Sequence, residues 1–420
     1  SCWMPRPISN NATVSDTGSA AAALPELWLK GGADRRLRAG HLWVYSNEVD
    51  VSRSPLTALQ AGDTVCVRGA DGRLLGAACM EPQALICARL YDRGNDRPLD
   101  RRRMQALLGR ALAAREADFS APCYRLVYGD SDGLPGLVVD RFRDILVLQL
   151  QNAIMERHVP LLVEVLVELL SPRGILLRGD SRARREQGLD ESIVTLYGEV
   201  PDLAPLEENG VAFLAPVKAG QKTGWFYDHR LARARLASYV KGARVLDVYS
   251  YIGGWGIQAA AAGAREVLCV DSSALALQGV EENARLNGCA ERVGVLRAAA
   301  DVAMQNLRQE GEQFDVVILD PPAFIQRRRD QKKGFKAYQR INELALQLLR
   351  PGGVLVSGSC SMHLSRGDLQ AAMQGAARRA GCELRVLEQC GQGPDHPVHP
   401  LIPETDYLKA IFARRLPAAD

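Results

Sequence analysis

In the second half of the chain, four apolar runs each end abruptly in polar or glycine-rich residues. They are ARVLDVYSYIGGWG (243–256), EVLCVDSS (266–273), FDVVILDPPAF (314–324) and GGVLVSGSCS (352–361). Helical stretches separate them: IQAAAAGA, SALALQGVEENARLNG and INELALQLLRPGG. Unbroken apolar runs are what strands buried on both faces require. Strand, tip and helix in alternation predict an α/β fold over 206–420, a doubly wound, Rossmann-like parallel sheet. Such sheets bind ligands at the carboxyl ends of their strands, so chemistry is expected at the tips.

The first half reads differently. Over 24–96, short β-rich runs are punctuated by glycine and Asp-Gly turns, the pattern of a small β-barrel. Val65 and Val67 alternate, Asp71-Gly72 turns, and Leu74 to Ala78 returns. The combination of GHLWVYSNEV with GDTVCVRGADGRLLGAA resembles a PUA domain, a small RNA-binding barrel. From 97 to 205 a linking helix (97–119) with Pro98 near its start leads into three strands joined by GDSDGLPG and DRFRD. A helix (156–170) and a further strand (174–180) follow, predicting a small α+β, EEHEE-like domain. Residues 1–23 are polar, rich in small residues and without a long apolar centre. They read as a disordered tail, not a signal peptide.

Composition narrows the class. With 420 residues, 47% hydrophobic and 24% charged, the chain has material for two or three cores. No apolar stretch reaches the roughly 18 residues that span a bilayer, so no membrane partner is expected. Ten cysteines are scattered without a CxxC pair, which points to reduced thiols in a cytoplasmic protein and argues against a zinc site. Net charge is only +3, but basic residues cluster in DRRRM (100–104), RARR (182–185) and RRRDQKKGFK (327–336). Clusters of this kind suit a phosphate backbone.

The tips carry the candidate chemistry. The turn from Asp247 through Gly256 is glycine-rich but is not GxGxxG; it suits a nicotinamide cofactor, S-adenosylmethionine or neither. Asp271, at the second tip, can accept the two ribose hydroxyls of an adenosine or simply cap a helix at Ser272-Ser273. Asp301, in RAAADV, is placed to meet an adenine amino group. Asp320-Pro321-Pro322 separates the options: acid-Pro-Pro-x-aromatic is the signature of methyltransferases acting on flat, nitrogen-bearing substrates. Cys360 then acquires a role. Carbon 5 of cytosine is a poor nucleophile; thiolate addition at carbon 6 activates it, and a carboxyl group near N3 stabilises the displaced charge. A thiol with an ordinary pKa of about 8.5 is mostly protonated at neutral pH, so basic neighbours are expected to favour the thiolate.

The stretches GQKTGWFYDHR (220–230), DVYSYIGGWG, DPPAF, AYQRINELALQLLRPGG, SGSCS and DHPVHPLIPETDYLK (395–409) resemble the RlmI-type ribosomal RNA large subunit (cytosine-5)-methyltransferases, over nearly everything after residue 24. The resemblance implies S-adenosylmethionine as methyl donor and a cytosine of 23S ribosomal RNA as acceptor. It implies Cys360 as nucleophile and Asp320 as base-binding acid that also borders the cofactor. Gly253 and the turn opened by Asp247 would hold the methionine part, Asp271 the ribose and Asp301 the adenine. Lys222 and Arg230 lie in the segment that closes over the cofactor in such enzymes.

Three departures stand out: Ile252 where threonine is usual, Ala323 where lysine is common, and WFYDHR in place of FYLDQR. His396 and His399, between prolines, read as structural. Two other functions remain open on sequence: a nitrogen-directed methyltransferase, for instance at guanine N7, or an RNA-binding assembly factor without catalysis. Oligomeric state is also open, a homodimer included.

Overall fold

The computed structural model describes residues 23–189 and 191–420, so the expected tail lies almost wholly outside the described residues. Three β-sheets and a hairpin follow one another along the chain. Residues 26–93 form a five-stranded sheet whose middle is the hairpin Thr64–Arg68 and Leu74–Met80. Val65 and Val67 are buried there, as their alternation requires, but so are Cys66 and Ala77 through Met80. Both faces of this hairpin are covered.

A second five-stranded sheet runs Ile193–Gly198, Gly174–Arg178, Ile145–Leu150, Leu137–Phe142, Cys123–Tyr128. It is antiparallel except where Ile145–Leu150 meets Gly174–Arg178 in parallel. The helices Arg101–Asp118 and Val159–Leu170 share one core with it, Met104, Leu108 and Leu162 meeting Leu146 and Leu148. The sequence treats DRFRD as a connecting turn; only Arg143, at φ 56, and Asp144 turn. Asp140 to Phe142 belong to the strand because Phe142 is buried and Asp140 accepts a two-point bond from Arg125 at 2.8 and 3.1 Å.

A hairpin, Ala204–Glu208 with Val211–Ala215, precedes the third sheet. That sheet contains β1 (Arg244–Val248), β2 (Glu266–Asp271), β3 (Val293–Arg297), β4 (Phe314–Leu319), β5 (Leu349–Ser359), β6 (Leu384–Cys390) and β7 (Lys409–Arg415). Its spatial order is β3-β2-β1-β4-β5-β7-β6, parallel except for β7, which runs against both neighbours. Val245, Val316, Ile318 and Val356 fill one face; Leu246, Val317, Leu319 and Leu355 fill the other. Alternate residues of one strand thus feed two cores, which is why the runs look unbroken in sequence. The helices α1 (Gly254–Ala261), α2 (Ala274–Leu286), α3 (Ala300–Gln309), α4 (Gln331–Leu348) and α5 (Arg366–Ala380) connect the strands. Strand order reverses between β1 and β4, and the crevice for a ligand opens above that point. No helix among the described residues is long and apolar enough to cross a membrane.

Candidate active site

The β1 tip is built by strain and close packing. Tyr249 and Tyr251 take left-handed φ values of 62 and 48, Gly253 takes 91, and Lys222, facing them, takes 50. Left-handed backbone at a bulky residue costs on the order of 1 kcal/mol and persists only where the surroundings enforce it. Here the Tyr251 hydroxyl accepts from the Gln221 amide at 3.1 Å and donates to the Gly224 carbonyl at 2.9 Å. Asp271 Oδ2 accepts from the Tyr251 amide and its Oδ1 from the Ser273 amide, both at 2.9 Å. The helix cap itself is Ser273, so Asp271 fastens the two tips together.

The glycines of this turn serve packing. A Cβ on Gly256 would sit 2.7 Å from Cys269 Sγ, and one on Gly254 would sit 3.2 Å from Trp225. Ile252 is fully buried against Gly279 of α2, an apolar slot. Asp247 lies beneath the turn, also fully buried, its Oδ2 accepting from the Gly256 amide at 2.9 Å. Its Oδ1 has no hydrogen-bond partner among the described residues. Burial, then Asp320 and Asp271, push its carboxyl up to about 8.

Asp320 and Cys360 emerge at adjacent tips, because β4 and β5 pair in parallel with Leu319 opposite Ser357. The serines flanking the thiol explain its setting. Ser359 Oγ donates to the Tyr338 hydroxyl at 3.0 Å, and that hydroxyl bonds Ser361 Oγ at 2.7 Å. The Phe324 amide donates to the same hydroxyl at 3.4 Å and the Ile325 amide to Ser361 Oγ at 3.3 Å. Tyr338 of α4 therefore staples the DPPAF loop to the Cys360 loop. Lys409 braces the loop from below, donating to the carbonyls of Ser361 and Leu364.

The electrostatics of this end differ from the sequence expectation. Burial pushes the Cys360 thiol up to about 11; Asp320 and Asp228 push the same way, and Lys222 pulls it down. The thiol is held neutral in the free protein. Around Asp320 the arrangement favours charge. Burial would raise its carboxyl, but the His229 imidazole 3.2 Å from Oδ1 and the Trp255 indole donating to Oδ2 at 3.0 Å bring it below the ordinary value. Neither His229 nor Tyr338 was singled out from the sequence. Both lie inside motifs that were, and their roles depend on partners from distant segments.

The remaining expected residues scatter around this centre. Asp301 is exposed in the first turn of α3, its Oδ1 accepting from the Val302 amide at 2.9 Å, with its charge near Tyr249. Lys222 is exposed, its ammonium 5.0 Å from the Phe226 ring centroid. Arg230 departs from the expected cofactor role. It is buried, donates to the Cys123 carbonyl at 2.7 Å, pairs with Asp395 at 3.7 Å and covers the Phe119 ring. Its terminal nitrogen joins this sheet to the preceding one, while Nε has no hydrogen-bond partner among the described residues. His396 likewise sits against Asp395 at 3.0 Å and stacks on Tyr128.

Of the basic clusters, two are largely spent internally. Arg101 pairs with Glu164 and Glu168, Arg103 with Asp92, Arg184 with Glu156 and Arg185 with Glu191. Arg327 to Arg329, Lys332, Lys333 and Lys336 are exposed, at and before the start of α4 beside the Asp320 loop. None of these six is in an ion pair among the described residues. A cavity of about 1360 Å³ between the first two sheets is lined by Trp43, Arg89, Tyr128 and Tyr407, and the Tyr407 hydroxyl donates to Asp228 Oδ2 at 2.7 Å.

Asp271, Asp301 and Asp320 thus stand at or just beyond three successive strand ends, with Asp247 buried beneath the β1 turn and one of its oxygens without a partner among the described residues. That set fits a cationic nucleoside. A family model for S-adenosylmethionine-dependent methyltransferases matches residues 173–414, and one for PUA-like domains matches 27–93. The chain is 37% identical over 393 residues to "Ribosomal RNA large subunit methyltransferase I" of Shewanella denitrificans, covering 92% of this chain and 98% of that one. The protein of the same name from Vibrio cholerae is 35% identical over 402 residues, covering 93% and 100%. Among solved structures, a chain from Streptococcus mutans described as a SAM-dependent methyltransferase superposes with TM-score 0.78 at 18% identity, covering 93% of this chain and all of that one. SMU.776, solved in complex with SAH, gives 0.79 at 19% with the same coverage. These two show the shared fold.

Proposed function

Since the chain belongs to the S-adenosylmethionine-dependent ribosomal RNA large subunit methyltransferases, we propose that it makes 5-methylcytosine in 23S ribosomal RNA through a covalent adduct on Cys360. One observation carries this reading: Cys360 and Asp320 stand at neighbouring strand tips, in loops stapled together by Tyr338. An amine-directed methyl transfer has no use for a thiol held at that spot.

The residues divide the work. Asp271 binds the ribose of the cofactor, Asp301 its adenine edge, and the Asp247–Gly253 turn with Lys222 encloses its amino-acid end. Bound there, the cofactor supplies an electrophilic methyl group. Asp320, held charged, accepts from the N4 amino group beside N3 of a cytosine that has left its stack. The Cys360 proton passes to solvent once the base is seated, with Lys222 a nearby cation that favours the thiolate. Sulfur then bonds carbon 6, and the electron pair of the carbon 5–carbon 6 double bond becomes available at carbon 5. After methylation, loss of the carbon 5 proton to solvent re-forms the double bond and expels the thiolate. The exposed basic run 327–336 offers phosphate contacts beside the entrance. The PUA-like domain, the tyrosine-lined cavity and Tyr407 continue the path away from it.

The test is mass-spectrometric mapping of 23S ribosomal RNA incubated with S-adenosylmethionine and either wild type or Cys360→Ala. One new 5-methylcytosine with wild type, reduced at least about 10³-fold by the substitution, is the expected result. Methylation that survives the substitution would promote the nitrogen-directed reading. Cofactor binding without methylation of naked RNA or subunit precursors would point to an assembly factor.

A further inference from the structure

His229 is the least expected group in the cleft. It is 2% exposed, in the turn that precedes the short helix Arg230–Leu236. Its ring packs on Trp255 of α1 with centroids 5.3 Å apart, and lies 3.6 Å from where a side chain on Gly358 of β5 would begin. Gly358 directly precedes the Ser359-Cys360 loop. Nε2 stands 3.2 Å from Asp320 Oδ1 as an ion-pair contact, and neither ring nitrogen makes a hydrogen bond among the described residues. A buried imidazole is normally satisfied by a backbone carbonyl or water; this one is wedged against the carboxylate that meets the substrate base.

We propose that His229 is a positioning residue for Asp320: wedged between Trp255 and Gly358, its imidazole fixes the carboxylate from one side while the Trp255 indole fixes it from the other. The inference rests on the reading of Asp320 as the acid that meets the base. Trp255 then donates to Oδ2 while the imidazolium lies against Oδ1, and each oxygen keeps a lone pair for the substrate's amino group. The imidazolium also leaves the charged carboxylate neutralised within the cleft. Without it, a carboxylate beside Cys360 would oppose thiolate formation more strongly, since like charges at short range disfavour each other.

The groups facing His229 come from five elements. Asp320 follows β4, Asp228 precedes it in its own turn, Arg233 lies on the short helix, and Trp255 and the Gly358 backbone close the rest. Burial alone would lower the imidazole's pKa. Asp320, and then Asp228, outweigh burial and the opposing Arg233, and raise it. Arg233 is itself neutralised by a two-point bond to Glu208 at 2.6 and 2.8 Å. Activity should therefore carry a limb that falls as pH rises through the His229 titration, above the ordinary histidine range.

Two measurements on the full chain test this. The first is a histidine-selective ¹⁵N NMR titration, with the His229 signal assigned by its loss in His229→Gln. His229 should titrate above ordinary histidine, and its midpoint should fall in Asp320→Asn. A midpoint at or below the ordinary value, unmoved by Asp320→Asn, overturns the pairing. That measurement involves no RNA, so it stands whether or not the cytosine reading does; the failure of that reading would show instead as wild-type RNA lacking 5-methylcytosine. The second is the pH profile of kcat for His229→Gln, whose amide donates to Asp320 but cannot be charged. The expected result is a lower kcat with loss of the high-pH limb, and calorimetric S-adenosylmethionine affinity within about twofold of wild type. An unchanged profile overturns the proposal. Should His229→Gln fail to fold, Asp320→Asn against wild type still decides: one histidine with a raised midpoint should move down, and a spectrum in which no histidine midpoint moves overturns the proposal.

Discussion

At the β1 tip the cost of building the site is carried by the backbone. Tyr249, Tyr251 and Lys222 are held left-handed, and glycines are required because Cys269, Trp225 and Ile257 leave no room for a side chain. At the β4 and β5 tips no residue from 319 to 325 or 357 to 363 has a positive φ. The cost there is electrostatic: a thiol pushed up to about 11, two carboxylates facing one imidazole, and Asp228 Oδ1 without a hydrogen-bond partner among the described residues. Asp228 is nonetheless held ionised; burial opposes this, but His229, His396, Lys222 and the Tyr407 hydroxyl outweigh it. Backbone strain makes a rigid seat for a ligand. Unbalanced charge makes a site that is complete only when substrate supplies the missing partner.

That contrast can be broken most strongly at Cys360. With its thiol pushed to about 11, iodoacetamide at pH 8 should alkylate it about 100-fold more slowly than an ordinary thiol. Peptide mapping would follow the rate, which should climb with pH and fall further in Lys222→Ala. Rapid alkylation at pH 8 would mean the free site already holds a thiolate. The backbone end is probed by Gly256→Ala, whose new methyl would meet Cys269 Sγ at 2.7 Å and Asp247 Oδ2 at 3.0 Å. Overpacking of this kind should cost about 1–3 kcal/mol in urea unfolding, whereas Cys360→Ala should leave stability near wild type.

The smallest effect concerns Asp247, whose carboxyl is pushed up to about 8. A carboxyl raised in the folded state favours the folded protein only while it stays protonated. Wild-type stability relative to Asp247→Asn should therefore fall as pH rises from the ordinary carboxyl value near 4 toward 8. Thermal unfolding of the two proteins across that range checks the sign; a wild type gaining on the variant would show Asp247 to be a stabilised anion.

How much of this could be read beforehand follows the same division. The doubly wound sheet was legible because each strand feeds two cores and so appears as an unbroken apolar run, and Asp271 and Asp320 could be placed because a strand end fixes where the next residue goes. Helix α5 and strands β6 and β7 were not anticipated: α5 shows small residues such as Ala371 and Gly375 in place of a strong apolar stripe, and Val386 and Leu387 of β6 remain exposed at the sheet edge. Partnerships between distant segments were also hidden. Arg230 looks like a cofactor clamp until Cys123 and Asp395 are found beside it. DRRRM and RARR look like phosphate sites until their acids are located. His229 and Tyr338 gain meaning only from Asp320, Ser359 and Ser361.

The central claim, a covalent bond between Cys360 and carbon 6 of cytosine, is tested most directly with RNA carrying 5-fluorocytosine. Fluorine at carbon 5 cannot leave as a proton, so the adduct is trapped after methylation. With S-adenosylmethionine present, wild type should form a one-to-one protein–RNA complex stable to denaturation, with the crosslink mapped to Cys360 and absent in Cys360→Ala. Efficient methylation of ordinary RNA without any such complex, or a complex that persists in Cys360→Ala, would contradict the account.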